Sequence, residues 1–356
     1  MNSQLRFDSV DALRGVTVAA MLLVNNPGDW GHVYAPLLHS EWHGCTPTDL
    51  VFPFFLFIVG VSIALGIVPR VEAGADIRAL RRNVLLRAAK IIGLGLTLHV
   101  LAFLLLDRAW FRPWGVLQRI GLCFGVVGLL ALVTGARAQW ILIASILLGY
   151  WGLLAAGGTF EPWINLASRV DTALLGPMAY QFDPATGLGH EPEGLLSTLP
   201  AIATTLLGLR AGEWLRRGEL KRLAYAGCVA LAMGYLWSWV FPFNKNLWTS
   251  SFVLWTAGWA MLALATCHVL IDRRRWPPIG RAFGVNAIAA YVGSSVMVYV
   301  FAALGWWEPI YRIGFAGWMT PRFGPYLPSL VFALAFVAFW WAIVHWMDRR
   351  GWIVKV

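Results

Sequence analysis

Long apolar runs separated by short polar connections dominate the chain. They fall at about 10–26, 50–68, 84–106, 115–134, 139–156, 195–212, 223–241, 250–271, 283–303 and 327–347. Most approach or exceed the roughly 20 residues that cross a bilayer. Lipid offers no partner to a free backbone N–H or C=O, so each run is predicted to be helical. The pattern predicts an all-α polytopic membrane protein with about ten transmembrane helices. Glycine clusters such as IIGLGLTL and GVVGLLALVTG would weaken a soluble helix. In a membrane they let helices approach closely.

Basic residues orient the pattern. Arg70, Arg78, Arg81 and Arg82 share one connection, Arg216, Arg217, Lys221 and Arg222 another, and Arg273, Arg274, Arg275 and Arg281 a third, while Arg349, Arg350 and Lys355 close the chain. These are every second connection, and the 27–48 segment between them has no Lys or Arg. The positive-inside rule then places both termini in the cytoplasm. No small-residue cleavage site follows the first apolar run, which is therefore expected to be a retained helix and not a removed signal.

Composition agrees. Of the 356 residues 59% are hydrophobic and 13% charged, against about 25% charged in soluble domains; the mean hydropathy is +0.65. The net charge of +10 lies in short connections between apolar runs, so it reads as a topology signal and not as a nucleic-acid footprint. Four cysteines, Cys45, Cys123, Cys228 and Cys267, form no CxxC pair, which leaves a zinc site or disulfide framework without support. No linker, low-complexity tract or soluble domain interrupts the chain. Residues 1–356 read as one transmembrane domain with outer loops at about 27–49, 157–194 and 304–326. Loops this long are often functional.

The densest polar constellation is VNNPGDWGHVYAPLLHSEWHGCTPTDLVFPFF. Its imidazoles can take and return a proton near neutral pH, and a carboxylate on the other ring nitrogen would fix the tautomer. Asp49 opens a helix and is placed either to orient an imidazole or simply to cap that helix. His32, His39 and His43 match no standard metal-ligand spacing, and no metal is expected. Asp11 and Arg14 share a helix face at i, i+3 and can pair. Arg119 in GVLQRIGLC has no local partner, so a phosphate or a distant carboxylate would satisfy it. Lys245 in PFNKNLWTSSF suits a sugar or carboxylate, although turn chemistry accounts for its Asn and Ser neighbours. Most of the 21 Trp fit an interfacial belt, and Trp42 is a candidate for stacking on a sugar ring. No P-loop, GxGxxG, GxSxG or HExxH motif occurs.

SVDALRGVTVAAMLLVNNPGDW and LLHSEWHGCTPTDLVFPFFLFIVG resemble the membrane acetyltransferase family that includes heparan-α-glucosaminide N-acetyltransferase and its bacterial relatives. GVLQRIGLC, HEPEGLLSTLPAIATTLLGLRAGEWL, PFNKNLWTSSFVLWTAGWA and GVNAIAAY continue the resemblance in order. Within the family the chain is most similar to bacterial members described as N-acetylglucosamine transporters. The resemblance implies transfer of an acetyl group from cytoplasmic acetyl-CoA to the amine of a glucosamine-type sugar on the periplasmic side of a bacterial inner membrane. It implies catalytic roles for His39, Asn25 and Asp49. Arg119, Gln118, Arg14 and Asn286 are then candidates for holding the cofactor, and Trp42, Glu193, Lys245 and Asn246 for holding the sugar. It further implies a homodimer embedded in membrane lipids. Glu191 stands where many relatives carry Asp, which lengthens the reach of that carboxylate. The alternative is inward transport of N-acetylglucosamine without chemistry, which midplane polar sites and broken helices would signal; a non-catalytic scaffold for envelope assembly is a third.

Overall fold

The computed structural model describes residues 7–354. The chain's ends, Met1–Arg6 and Lys355–Val356, lie outside the described residues, and with them the expected placement of both termini. Every predicted run falls on a long helix: α1 Asp8–Asn25, α2 Val51–Gly66, α3 Ile77–Leu105, α4 Val116–Val133, α5 Ala136–Ala156, α6 Thr198–Arg216, α7 Leu220–Trp237, α8 Ser250–Cys267, α9 Ala287–Ala303 and α10 Tyr326–Arg349. Where the pattern predicts about ten spans, six helices among the described residues are long and apolar enough to cross a membrane by themselves, namely α2 with its flanks, α3, α4, α5, α8 and α10. A seventh arises if α9 and the segment Trp307–Phe323, bent by 100° from it, count as one broken span.

The shortfall has a physical reason. α1 carries Asp8, Asp11 and Arg14, α6 carries Arg210 and Glu213, and α7 begins with Lys221 and Arg222. α6 is buried along nearly its whole length, so protein and not lipid surrounds it. Its charges are matched there: Arg210 donates to Glu213 at 2.8 Å and to Gln139 at 3.1 Å. A helix wrapped by other helices need not be uniformly apolar.

Close packing centres on α2 against α6. A Cβ on Gly60 would run into the Thr205 carbonyl oxygen, and one on Gly208 into that of Phe57, so only glycine permits this approach. Phe57, Val61, Leu206 and Leu209 fill the surrounding core. In the glycine-rich runs, Gly121 and Gly128 face Ile92 and Val84 of α3, whereas Gly93 meets nothing.

The helix ends fall into two layers. At the first, the basic end, Arg216 pairs with Glu72 at 2.6 Å, Arg281 with Asp348 at 2.8 Å, and Ser9 donates its backbone N–H to Asp272 at 3.2 Å. The second, the site end, gathers the three predicted loops, which are more ordered than their composition suggests. The segment 157–194 contains a helix, Leu166–Leu175, and a two-stranded hairpin, β1 Gln181–Asp183 and β2 Leu188–His190, pairing Gln181 with His190. Asp183 closes its turn by accepting from Ala185 N and Thr186 Oγ1, and Gly187 supplies the positive φ of +68°. The segment 304–326 is helical over Trp307–Phe323 and exposes Trp306, Ile313, Trp318 and Phe323.

The glycine contact is directly testable. Gly60→Leu or Gly208→Leu forces α2 and α6 apart and should cost at least about 1–3 kcal/mol, lowering the thermal midpoint in detergent. An unchanged midpoint would show that the two helices do not approach this closely.

Candidate active site

The 27–49 segment is held to the bundle before its chemistry begins. Gly28 N and Asp29 N donate to the carbonyl oxygen and Oγ of Ser329 at 3.3 and 3.0 Å. Asp29 then accepts from Gly31 N at 2.8 Å and lies 2.7 Å from His32 Nδ1; the His32 bond, followed by the Gly31 bond, holds its carboxyl below the usual range. Thr46 Oγ1 and Thr48 Oγ1 return to the carbonyls of Leu38 and Pro36 at 2.7 and 3.1 Å.

These contacts place His39 over Asp49. Asp49 is not the N-cap of its helix: Thr46 is, and Asp49 stands three residues on in a capping box. Asp49 Oδ2 accepts from Thr46 N at 2.9 Å, Ser40 N at 3.1 Å and Thr46 Oγ1 at 3.1 Å. Oδ1 remains for His39 Nδ1, 2.7 Å away. A carboxylate only accepts, so Nδ1 carries the proton and the neutral ring presents a lone pair at Nε2. The Asp49 side chain is 1% exposed and that of His39 47%, so the orienting carboxylate is sealed in while the base is reachable. Of the two roles weighed for Asp49, the N-cap belongs instead to Thr46, which Asp49 backs from the third position, while its other oxygen lies against the imidazole.

Lys245 completes this group from the turn before α8. Its Nζ lies 3.1 Å from His39 Nε2 and 3.3 Å from Nδ1. Asn244 Oδ1 accepts from Leu247 N at 2.8 Å, Thr249 N donates to Asn244 O at 3.1 Å, and Gly44 N donates to Phe243 O at 2.7 Å. That last bond ties the turn to the histidine loop. Burial lowers the Lys245 ammonium below its usual range against the opposing fields of Glu193 and Asp49. Asn246 sits half-buried beside it.

A second layer of charge backs the first. Arg112 binds Glu191 through Nε at 2.9 Å and through a second, short contact, reaches Glu193 at 2.7 Å, and lies 4.4 Å over the Tyr180 ring. Burial drives Glu191 up to about 7, with Arg112 pulling the other way. For Glu193 burial also opposes ionisation, but Arg112, Arg119 and Lys245 together outweigh it and hold the carboxyl below the usual range. Arg119 is wholly buried. It donates to Pro192 O at 2.9 Å, to Gly194 O at 3.3 Å and to Ser197 Oγ, and its guanidinium lies 5.0 Å over Trp248. The partner that its sequence context lacked is thus the 192–197 segment, at the site end; Nε and the other terminal nitrogen have no partner among the described residues.

The remaining predicted residues divide between the ends. Trp42 is half-buried, donating to Phe160 O at 2.8 Å, with its ring edge-on to His190 at 5.3 Å. Gln118 donates to Pro113 O at 3.3 Å. Asn25, the last residue of α1, is exposed and contacts neither His39 nor Asp49. Arg14 and Asn286 lie at the basic end. Arg14 pairs with Asp11 at 2.8 Å and donates to Gly284 O and Ser62 Oγ, while Asn286 accepts from Val354 N at 3.2 Å and leaves Nδ2 buried without a partner among the described residues. A small apolar cavity of about 30 Å³ lies between the groups, lined by Thr17, Phe52, Phe55, Ile120, Ala287 and Tyr291 among others. Phe52 is one turn from Asp49, Thr17 one turn from Arg14, and Ala287 adjoins Asn286, so the cavity lies in the stretch of the bundle between the two sets.

Sequence reasoning did not single out Arg112, Asp171 and His190, which lie before α4 and in the 157–194 segment without a recognisable spacing. His190 Nδ1 lies 3.0 Å from Ser168 Oγ and 3.7 Å from Asp171. Burial pushes His190 down to about 4 and Asp171 up to about 6. Burial likewise pushes the Cys45 thiol up to about 12, so it is no nucleophile. Among the described residues no three His, Cys, Asp or Glu side chains are grouped to hold a metal ion.

Residues 6–237 match the family model described as heparan-alpha-glucosaminide N-acetyltransferase, catalytic. The human heparan-alpha-glucosaminide N-acetyltransferase is 29% identical over 366 aligned positions, covering 83% of this chain and 54% of the human protein. The mouse protein of the same name is 28% identical, covering 84% and 55%. The chain therefore spans about half the length of the curated relatives it matches. The family model covers His39, Asp49, Arg119 and Glu193 but stops short of Lys245 and Asn286.

Two outcomes check this electrostatic reading. Arg112→Met leaves Glu191 and Glu193 buried side by side and should destabilise the protein by about 3–5 kcal/mol; a melting midpoint equal to the parent's would refute the pairing. His190 binds a proton more weakly folded (about 4) than unfolded (6.5), so its contribution to stability is lost as pH falls from 6.5 towards 4. Asp171 binds one more tightly folded (about 6) than unfolded (3.8), so its contribution is lost as pH rises from 3.8 to 6. Glu191, at about 7 folded against 4.5 unfolded, slopes the same way as Asp171. Asp171→Asn should therefore make the change of stability with pH between 4 and 6 more positive than in the parent in thermal scans, and an unchanged profile would contradict the burial of Asp171.

Proposed function

The chain belongs to the catalytic family of heparan-alpha-glucosaminide N-acetyltransferase, and on that footing we propose that it carries an acetyl group from cytoplasmic acetyl-CoA to the amine of a glucosamine-type sugar at the site end, on the periplasmic face of a bacterial inner membrane. The observation that carries the reading is the His39–Asp49 pair, with Nδ1 committed to a sealed carboxylate and Nε2 presented at an accessible surface.

The acceptor amine needs a base that removes its proton as it attacks. His39 Nε2 supplies it, and Asp49 holds the tautomer and stabilises the imidazolium that forms. Attack on the thioester carbon forms the N–C bond, the C–S bond breaks, and the proton held at Nε2 is available to the departing thiolate. Asn25, exposed at the end of α1, is assigned to donate to the thioester oxygen as charge gathers there. A route through acetylated His39 uses the same residues with Nε2 as the first nucleophile. Trp42 and Glu193 wall the acceptor side, where a carboxylate favours a cationic amino sugar.

The donor side is read from the two ends: the thioester enters from the basic end, and its pantetheine arm runs towards His39 past the apolar side chains Phe52, Phe55 and Ile120. Arginines in the basic connections, with Arg14 and Asn286 at the same end, suit the nucleotide and its phosphates. Arg119 braces the 192–197 segment, and Gln118 borders it. The ten-helix topology with both ends cytoplasmic completes this reading, since α6 is shielded by its neighbours and the charges of α7 sit at its basic end.

Purified protein incubated with labelled acetyl-CoA and glucosamine should form labelled N-acetylglucosamine. His39→Ala should slow this by about 10²–10⁴-fold, and Asp49→Asn by a comparable factor, since an amide can receive no proton from Nδ1 in the needed tautomer with equal strength. Undiminished product from His39→Ala overturns the mechanism. Uptake of N-acetylglucosamine into proteoliposomes lacking CoA, with no labelled product, would instead establish the transporter.

A further inference from the structure

Lys245 is the residue that the proposed reaction does not yet use. Its Nζ lies 3.1 Å from His39 Nε2, where an acceptor amine must stand to surrender its proton. It is a primary amine on a flexible stem, as the sugar's is on a ring. It is the one lysine among the described residues that reaches this site: Lys90 lies in α3 and Lys221 begins α7 at the basic end. Its backbone is fixed by the Asn244 turn, and the turn is fixed to the histidine loop through Gly44 N and Phe243 O. The approach is therefore built into the fold and does not depend on a wandering surface side chain.

We propose that Lys245 is an acetylation site, modified by the protein's own His39 when a thioester is bound and no sugar amine is present. The inference rests on the acetyltransferase reading of the preceding section. The Lys245 ammonium first loses a proton to His39 Nε2, which passes it to solvent. The free Nζ attacks the thioester carbonyl carbon, the N–C bond forms and the C–S bond breaks. The second Nζ proton moves through Nε2 to the leaving thiolate, giving acetyl-lysine and free CoA thiol with no change of oxidation state. A half-buried amine near Glu193 and Asp49, with its ammonium form disfavoured by burial, is suited to this attack.

The product is neutral, longer than the lysine by an acetyl group, and lies against the base. It removes the cation that faces Glu193 and Asp49 and fills the acceptor's place. Self-acetylation would thus switch the protein off when donor is plentiful and acceptor scarce, and sugar would protect it.

Purified full-length protein is incubated with acetyl-CoA alone, then mapped by peptide mass spectrometry and assayed for residual glucosamine acetylation. One acetyl group should appear on Lys245, activity should fall in step with it, and saturating glucosamine should suppress both. Modification should be about 10²-fold slower in His39→Ala, a surface change that leaves the fold to be checked by its melting midpoint. Acetylation equally fast in His39→Ala, or equally distributed over Lys90 and Lys221, overturns the proposal as non-specific chemistry. Glucosamine acetylation with Lys245 unmodified overturns it while leaving the transferase standing; absence of both reactions removes the two together.

Discussion

Asp49 has a separate task for each of its oxygens. One closes the capping box of the short turn Pro47–Leu50 that leads into α2, accepting from Thr46 N and Oγ1 and from Ser40 N, and the other receives the His39 ring. The two tasks reinforce one another. A carboxylate buried in the turn that leads into a membrane helix stays ionised only if it is fully hydrogen-bonded. Four donors meet that condition, and the imidazole is one of them. The helix end and the base are thus fixed by one set of bonds, and the geometry of Nε2 follows from where α2 begins.

Around this pair the protein arranges charge in alternation. His39 faces Lys245, Lys245 faces Glu193, and Arg112 and Arg119 bracket Glu193 from behind. Each charge is costly to bury alone and tolerable only with its neighbours. The series also joins stretches far apart in the chain: the 27–49 segment, Arg112 before α4, the Glu191–Glu193 loop and the turn before α8. Glu191 takes Arg112 by both oxygens while accepting from Tyr180 N at 3.1 Å.

The same bundle separates two chemical settings. Arg14 and Asn286 lie at the basic end and His39 at the other, with a small apolar cavity among α1, α2, α4 and α9 between them. Glycine contacts such as Gly60–Gly208 bring α2 and α6 together. That approach leaves the facing side of α2, from Phe52 to Phe55, to line the cavity.

The apolar runs determined the helices by themselves, because in lipid an unpaired backbone has no alternative to the helix. All ten runs are helical, although charge on α1, α6 and α7 leaves six or seven that qualify as spans by composition alone. The polar density between residues 25 and 49 likewise marked His39 and Asp49, since both are brought together by a loop that its two helices force to be short. Tertiary structure alone decided the rest. It turned Lys245, some two hundred positions away, against the imidazole; it gave Arg119 the 192–197 backbone in place of a free phosphate site; and it revealed Arg112, His190 and Asp171. These depend on which loops meet above the bundle, and a linear pattern of hydropathy carries the direction of each helix but not the neighbour beside it.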